Sequence, residues 1–223
     1  MESIEISIPI SYQVASIIRS DIFEGKLKAG EKISANKICR QMNISATPVR
    51  EAFKILQTEG LIKILPRSST VVSDYAIQSI RDMAYIRASL EGDAAYIASH
   101  VATDKELNDM NTILEKSGHA AETGNLAELI VLNTAFHRSI RLASHNQYLI
   151  MQIDRLMSYD YTIRKTALSD VRKRIKGVRE HRIVLDYMMA RDAENAEEAI
   201  IRHIRETAYE IIFTKDKEGE GKI

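Results

Sequence analysis

From Asp74 to the end of the chain the sequence contains no β-rich run. It carries amphipathic periodicity instead. Segments at about 75–100, 104–123, 125–143, 147–166, 169–190 and 193–214 repeat apolar residues at helical spacing, with breaks at Thr103, Gly124, Ser144-His145-Asn146 and Asp192. A helix with one apolar stripe must bury it against a neighbour, and with no strand signal the neighbours are other helices. The pattern predicts an all-α bundle over residues 74–214, followed by a charged tail at 215–223, KDKEGEGKI, that is expected to fray.

The preceding residues are punctuated differently. Val14, Ile17, Ile18 and Ile22 set out a first helix ending near Gly25, LKAGEKI reads as a turn, and SANKICRQM reads as a short second helix closed by Asn43. A third helix lies in NISATPVREAFKILQTEGLIKIL, where Val49, Ala52, Phe53 and Leu56 recur at i, i+3, i+4 and i+7. Thr47 suits an N-cap, Pro48 suits the first turn because its missing N–H has no partner there, and Gly60 marks the end. LIKIL and TVVS, separated by Pro66, Arg67 and Ser68, read as a β-hairpin. Three helices and a hairpin predict a winged helix-turn-helix over residues 10–73, after an N-terminal arm at 1–9. The fold class expected is therefore mainly α: an N-terminal winged helix-turn-helix followed by an all-α helical bundle.

The third helix shows Thr47, Arg50 and Lys54 on a face other than its apolar stripe. Hydroxyl, guanidinium and ammonium groups near a helix N-terminus equip it to meet phosphates and read base edges. Net charge is zero, but residues 10–73 hold ten Lys or Arg against five Asp or Glu, so the basic excess lies with that helix. The 45% of hydrophobic residues can bury a real core. The one cysteine, Cys39, excludes an internal disulfide and fits a reducing compartment. No run of about 18 apolar residues occurs, and MESIEISIPISYQ lacks the basic and apolar regions of a signal peptide, so a cytoplasmic protein is expected.

The run IIRSDIFEGKLKAGEKISANKICRQMNISATPVREAFKILQTEGLIKIL resembles the DNA-binding domain of GntR-type bacterial transcription regulators, in which a Thr-Pro-Val-Arg-Glu-Ala core opens the recognition helix. YIRASLEGDAAYIA, LNTAFHRSI, LASHNQYL and EHRIVLDYM resemble the FadR-type branch of that family, with its metal-containing FCD ligand-binding domain. The resemblance implies a homodimeric regulator of double-stranded operator DNA whose effector binds in the helical bundle. It implies DNA contacts by Thr47, Arg50, Asn36 and Ser45, and a wing contact by Arg67. Ala46 stands where the family commonly has a guanine-reading Arg, so one base contact is expected to be missing.

In the second half, Asn133 and His137 lie one helical turn apart, while His181 and His203 share apolar stripes of two later helices and should point inward. A lone inward histidine is more often a hydrogen-bonded core residue than a metal ligand, but three on separate helices of one bundle fit a site for Zn, Ni, Cu or Fe. The resemblance selects the second reading, since metal-containing relatives use a carboxylate or amide, a histidine four residues on, and two more histidines. Asn133, His137, His181 and His203 match, and Asn in place of the commoner Asp replaces an anionic ligand by a neutral carbonyl. A divalent transition metal, Zn or Ni, is expected there, with open positions for an effector carboxylate. Arg87 either donates to that carboxylate or pairs with Glu91 at the surface, and Tyr161 and Arg164 are further candidates for the pocket wall. His100, His119 and His145 fall near helix ends and read as solvated or capping.

The acyl-CoA-binding branch lacks the histidine set, which favours a small carboxylate such as a hydroxy acid or sugar acid. The expectation is a repressor released by that acid; the alternatives are a purely structural metal, a regulator that senses the metal itself, and, remotely, a metal-dependent hydrolase. No carboxylate base in a metal-enzyme motif, Ser/His/Asp set or Gly-rich phosphate loop is present, so no enzyme is expected.

Overall fold

In a computed structural model of the chain, the described residues are 9–65 and 69–220, with the side chains of 157–163, 165 and 212–220 outside the description. Residues Met1–Ile80 and Arg81–Ile223 form two compact units.

In the first unit, α1 (Ile10–Phe23), α2 (Ala35–Met42) and α3 (Ala46–Thr58) are joined by a small sheet of β1 (Lys32–Ile33), β2 (Ile62–Leu65) and β3 (Ser69–Val72). Val14, Ile18 and Ile22 are buried, whereas Ile17 lies off their line and is 46% exposed. The turn expected in LKAGEKI contains β1. It pairs antiparallel with β3 (Lys32↔Val71, Ile33↔Thr70), while β2 covers β3's other edge. The sheet thus has three strands rather than a hairpin's two; a two-residue strand is too short to show alternation and exists only because β3 offers it an edge.

Ser34 caps α2 by accepting from the Lys37 N–H, and Asn43 ends it in the left-handed conformation at φ 52°. The expected cap of α3 moves: Ser45, not Thr47, is the N-cap, and its side chain makes no capping bond. Pro48 tolerates the earlier start because its absent N–H still falls among the unpaired donors of the first turn. At the other end the Leu61 N–H donates to the Leu56 carbonyl and the Gly60 N–H to the Gln57 carbonyl, both at 3.0 Å. This Schellman closure puts Gly60 at φ 73°, and a Cβ there would lie 2.9 Å from Ser79 Oγ, so glycine is required on two counts. Val49, Ala52, Phe53 and Leu56 are buried as a stripe. Arg19 joins α1 to α3 through a buried two-pronged bond to Glu59, at 2.8–3.1 Å. Arg67 lies outside the described residues.

In the second unit, helices α4 (Ala76–Val101), α5 (Asp104–Thr123), α6 (Leu126–Ala143), α7 (Gln147–Ser169), α8 (Val171–Met189) and α9 (Ala193–Glu220) follow the predicted order; α4 begins in the first unit. Their starts are capped by local chemistry: Thr103 and Glu106 form a capping box on α5, and Asn125, Asn146 and Asp170 cap α6, α7 and α8. Phe136, Ile140, Leu185, Met188 and Ile200 are fully buried together, and Ala88, Ala94, Ala95 and Ala98 let α4 approach them closely. α9 runs on to Glu220 and so takes in part of the charged run at 215–223. Lys and Glu are good helix formers, so a charged sequence is no barrier to continuing a helix already nucleated. Among the described residues no helix is long and apolar enough to cross a membrane.

Candidate functional site

His137 on α6, His181 on α8 and His203 on α9 meet inside the second unit, all buried, with one potential ligand nitrogen of each lying within 4.8 Å of the others. His181 Nε2 and His203 Nε2 are 3.0 Å apart. Two nitrogens at about 2.0–2.1 Å from one cation are separated by about 3.0 Å at a right angle and about 3.4 Å at the tetrahedral angle, so this spacing suits a shared ion. Asn133, one turn before His137, is buried, and its Oδ1 has no hydrogen-bond partner among the described residues. A buried carbonyl oxygen left unpaired costs about 1–3 kcal/mol, and a cation would satisfy it. The donor set therefore fits a divalent transition metal held by three imidazoles and one amide oxygen.

Two of the three histidines are held toward the neutral form that ligation requires. Burial, then the positive charges of Arg164 and Arg87, hold His137 well below the usual imidazole range. Burial and then the neighbouring His203 and His137 rings do the same for His181. His203 Nδ1 lies 2.7 Å from Glu180 Oε2. Burial pushes the Glu180 carboxyl up, but the contact with His203 and the Lys176 ammonium outweigh it and leave it lowered, hence ionised. An ionised carboxylate only accepts, so His203 donates to it from Nδ1, which leaves Nε2 as the nitrogen on the side of His181.

The cluster opens on a cavity of about 50 Å³, lined in part by Asn133, His137, His203, Arg87 and Arg164. That is room for a handful of waters or a small acid. Arg87 is not in a surface ion pair. Its Nε does donate to Glu91 at 3.3 Å, but both side chains are buried, and Arg87 also faces the cavity. The salt bridge with Glu91 and the position at the cavity coexist. Arg164, equally buried, donates from Nη1 to Thr134 Oγ1 at 2.7 Å. Tyr161 belongs to α7, but its side chain lies outside the description. His145 faces Glu106, and His100 packs edge-on against Tyr96, both apart from the cluster.

Sequence reasoning placed Glu91 at the surface as a partner of Arg87 and missed Arg141 and Glu180. For Glu91 a signal existed: it shares the spacing of Ala84, Ala88, Ala95 and Ala98, all buried, which places a carboxylate on the inward stripe of α4. Glu180 carries no such signal, because adjacency to His181 puts it on another face of α8.

In the first unit Thr47, Arg50 and Lys54 are exposed, as are Asn36 and Ser45. Asn36, Arg50, Lys54 and Lys32 line one open groove between α2, α3 and the sheet. Ser45 and Thr47 are outside that lining, at the start of α3. Part of the basic excess is already paired, since Arg19 is committed to Glu59 in the interior and Lys63 bonds Asp74 at 2.8 Å on the surface.

Comparison with known proteins bears on both units. Residues 10–72 match the family described as bacterial regulatory proteins, gntR family, and residues 82–206 match the FCD domain. A Paenarthrobacter nicotinovorans protein named "Probable D-xylose utilization operon transcriptional repressor" is 30% identical over 195 residues, 87% of this chain and 85% of that one. The HTH-type transcriptional repressor RspR of Escherichia coli is 25% identical over 198 residues, 89% of this chain and 87% of that one. The solved structure of E. coli McbR/YncC has a similar fold, with TM-score 0.67 at 21% identity, covering 94% of this chain and 99% of that chain.

Proposed function

This chain belongs to the gntR family of bacterial regulatory proteins, its relatives being transcription regulators and not enzymes, and on that premise we propose that it is a repressor released from operator DNA by a small carboxylate. The observation that carries the effector half is the convergence of Asn133, His137 and His203 with Arg87 and Arg164 on one small cavity. A divalent transition metal, Zn or Ni, would be held by Asn133, His137, His181 and His203, and when bound would offer an electrophilic position to a carboxylate oxygen. Arg87 and Arg164 supply charge for the same anion. Repression is the sign supported by the names of two relatives.

For the DNA half, Arg50 and Asn36 are the base-reading side chains, with Thr47 and Ser45 beside them and Lys32 and Lys54 against phosphates. A homodimer would present α3 twice to a pseudo-palindromic site.

Elemental analysis of protein purified without a His-tag tests the metal. Near-stoichiometric metal surviving dialysis is expected; a metal-free protein that still binds DNA and answers an organic acid reduces the histidines to core packing. Thermal shift against hydroxy acids and sugar acids, with and without chelator, tests the effector. A rise in melting temperature confined to the metal form supports the sensor, and no response to any acid favours a structural or directly sensed metal.

A further inference from the structure

Glu91 is fully buried in the second unit, and a carboxylate taken out of water needs positive charge or donors on every side. Its Oε1 accepts from Arg87 Nε at 3.3 Å and from Arg141 Nη1 at 3.4 Å. Its Oε2 faces His137 Nδ1 at 3.5 Å, and neither of these two atoms has a hydrogen-bond partner among the described residues. The pair stands just beyond the N–H···O range of about 2.7–3.2 Å. An ionised carboxylate only accepts, so the contact closes only when His137 carries its proton on Nδ1. That tautomer leaves Nε2 with the lone pair, which is the form a cation selects.

We infer that Glu91 is a positioning residue shared by the metal and anion sites: it holds His137 in the tautomer that ligates through Nε2, and it is a buried counter-ion of Arg87. The inference rests on the metal and carboxylate reading above. It adds a consequence which that reading lacks, because the two roles respond oppositely to loss of the Glu91 charge. The metal loses the partner that orients one of its ligands. The anion gains an arginine no longer neutralised by its neighbour.

The test uses the full chain and two probes, zinc and glycolate. Glu91→Gln is expected to bind zinc about 10–100-fold more weakly, and, with both proteins saturated with zinc, to bind glycolate severalfold more tightly. General loosening of the fold would weaken both. Equal zinc affinity in variant and parent overturns the His137 role; glycolate affinity that is unchanged, lowered or absent in both overturns the Arg87 role. Should Glu91→Gln fail to fold, nitrogen-15 NMR of histidine-labelled parent protein decides the first role, with His137 assigned from a His137→Gln spectrum. A proton on Nδ1 and zinc on Nε2 are expected, and zinc on Nδ1 overturns it. A parent protein that takes up no zinc overturns the metal reading itself and this role with it, whereas zinc uptake with the wrong His137 nitrogen overturns this inference alone.

Discussion

Arg50 projects from a helix whose opposite face is wholly packed, so its substitution tests recognition separately from folding. Arg50→Ala is expected to cost about 1–3 kcal/mol at the operator and to relax preference at one base pair per half-site. A titration showing unchanged affinity removes Arg50 from the reading set. The buried histidines make a separate prediction about acid. His137 and His181 are held below the imidazole range when folded, by burial first and by nearby positive groups second, whereas in the unfolded chain each titrates near about 6.5. Between those values the unfolded state binds protons that the folded state refuses, so stability rises with pH across that window. It is complete above about pH 6.5 and is lost progressively as pH falls below. Chelator-treated protein should therefore melt lower at about pH 5.5 than at about pH 7.5, and an unchanged melting temperature would contradict two neutral, buried rings. Metal occupancy should fall in the same direction, since protons compete for the ligating nitrogens.

The helices of the second unit differ in how closely they approach, and two glycines expose the difference. A Cβ at Gly92 on α4 would lie 2.6 Å from Ile201 Cγ1 and Cδ1 of α9, while one at Gly118 on α5 would meet nothing within 4 Å. Ala in a helix interior ordinarily gains about 1 kcal/mol over Gly. Gly118→Ala should show that gain in urea denaturation. Gly92→Ala should show a net loss, because overpacking of about 1–3 kcal/mol opposes the gain. Equal effects at the two sites would mean that α4 and α9 are not locked at this crossing. In the first unit the comparable lock is Arg19–Glu59, where Arg19→Ala strands a nearly buried carboxylate and is expected to cost about 3–5 kcal/mol.

At the scale of the molecule, regulation requires that acid and operator each alter the other's binding. Coupling is reciprocal, so an acid that weakens operator binding must bind the DNA complex more weakly by the same factor. Calorimetry of such an acid against free and operator-bound protein should show that difference, and equal affinities would leave the second unit without a regulatory role through that ligand. Operator affinity should also fall with salt, as Lys and Arg displace counterions from phosphates.

Element identity was legible because it is local. Capping residues at Ser34, Thr103, Asn125, Asn146 and Asp170 and the left-handed closures at Asn43, Gly60 and Gly124 are chemistry within a few residues of where the helices start and stop. Apolar period likewise announced which faces turn inward, and so that His181 and His203 are buried. Period says nothing of what stands opposite. β1 needed an edge of β3, the exact start of α3 was left open by a proline that suits several first-turn positions, and the partners of Glu91 and His203 come from other helices or faces. Sequence by itself determined a winged helix-turn-helix followed by a helical bundle with inward histidines. Only the tertiary structure decided that those histidines meet and that a carboxylate is buried beside them, because long-range electrostatic matching exists only once separate helices have been packed together.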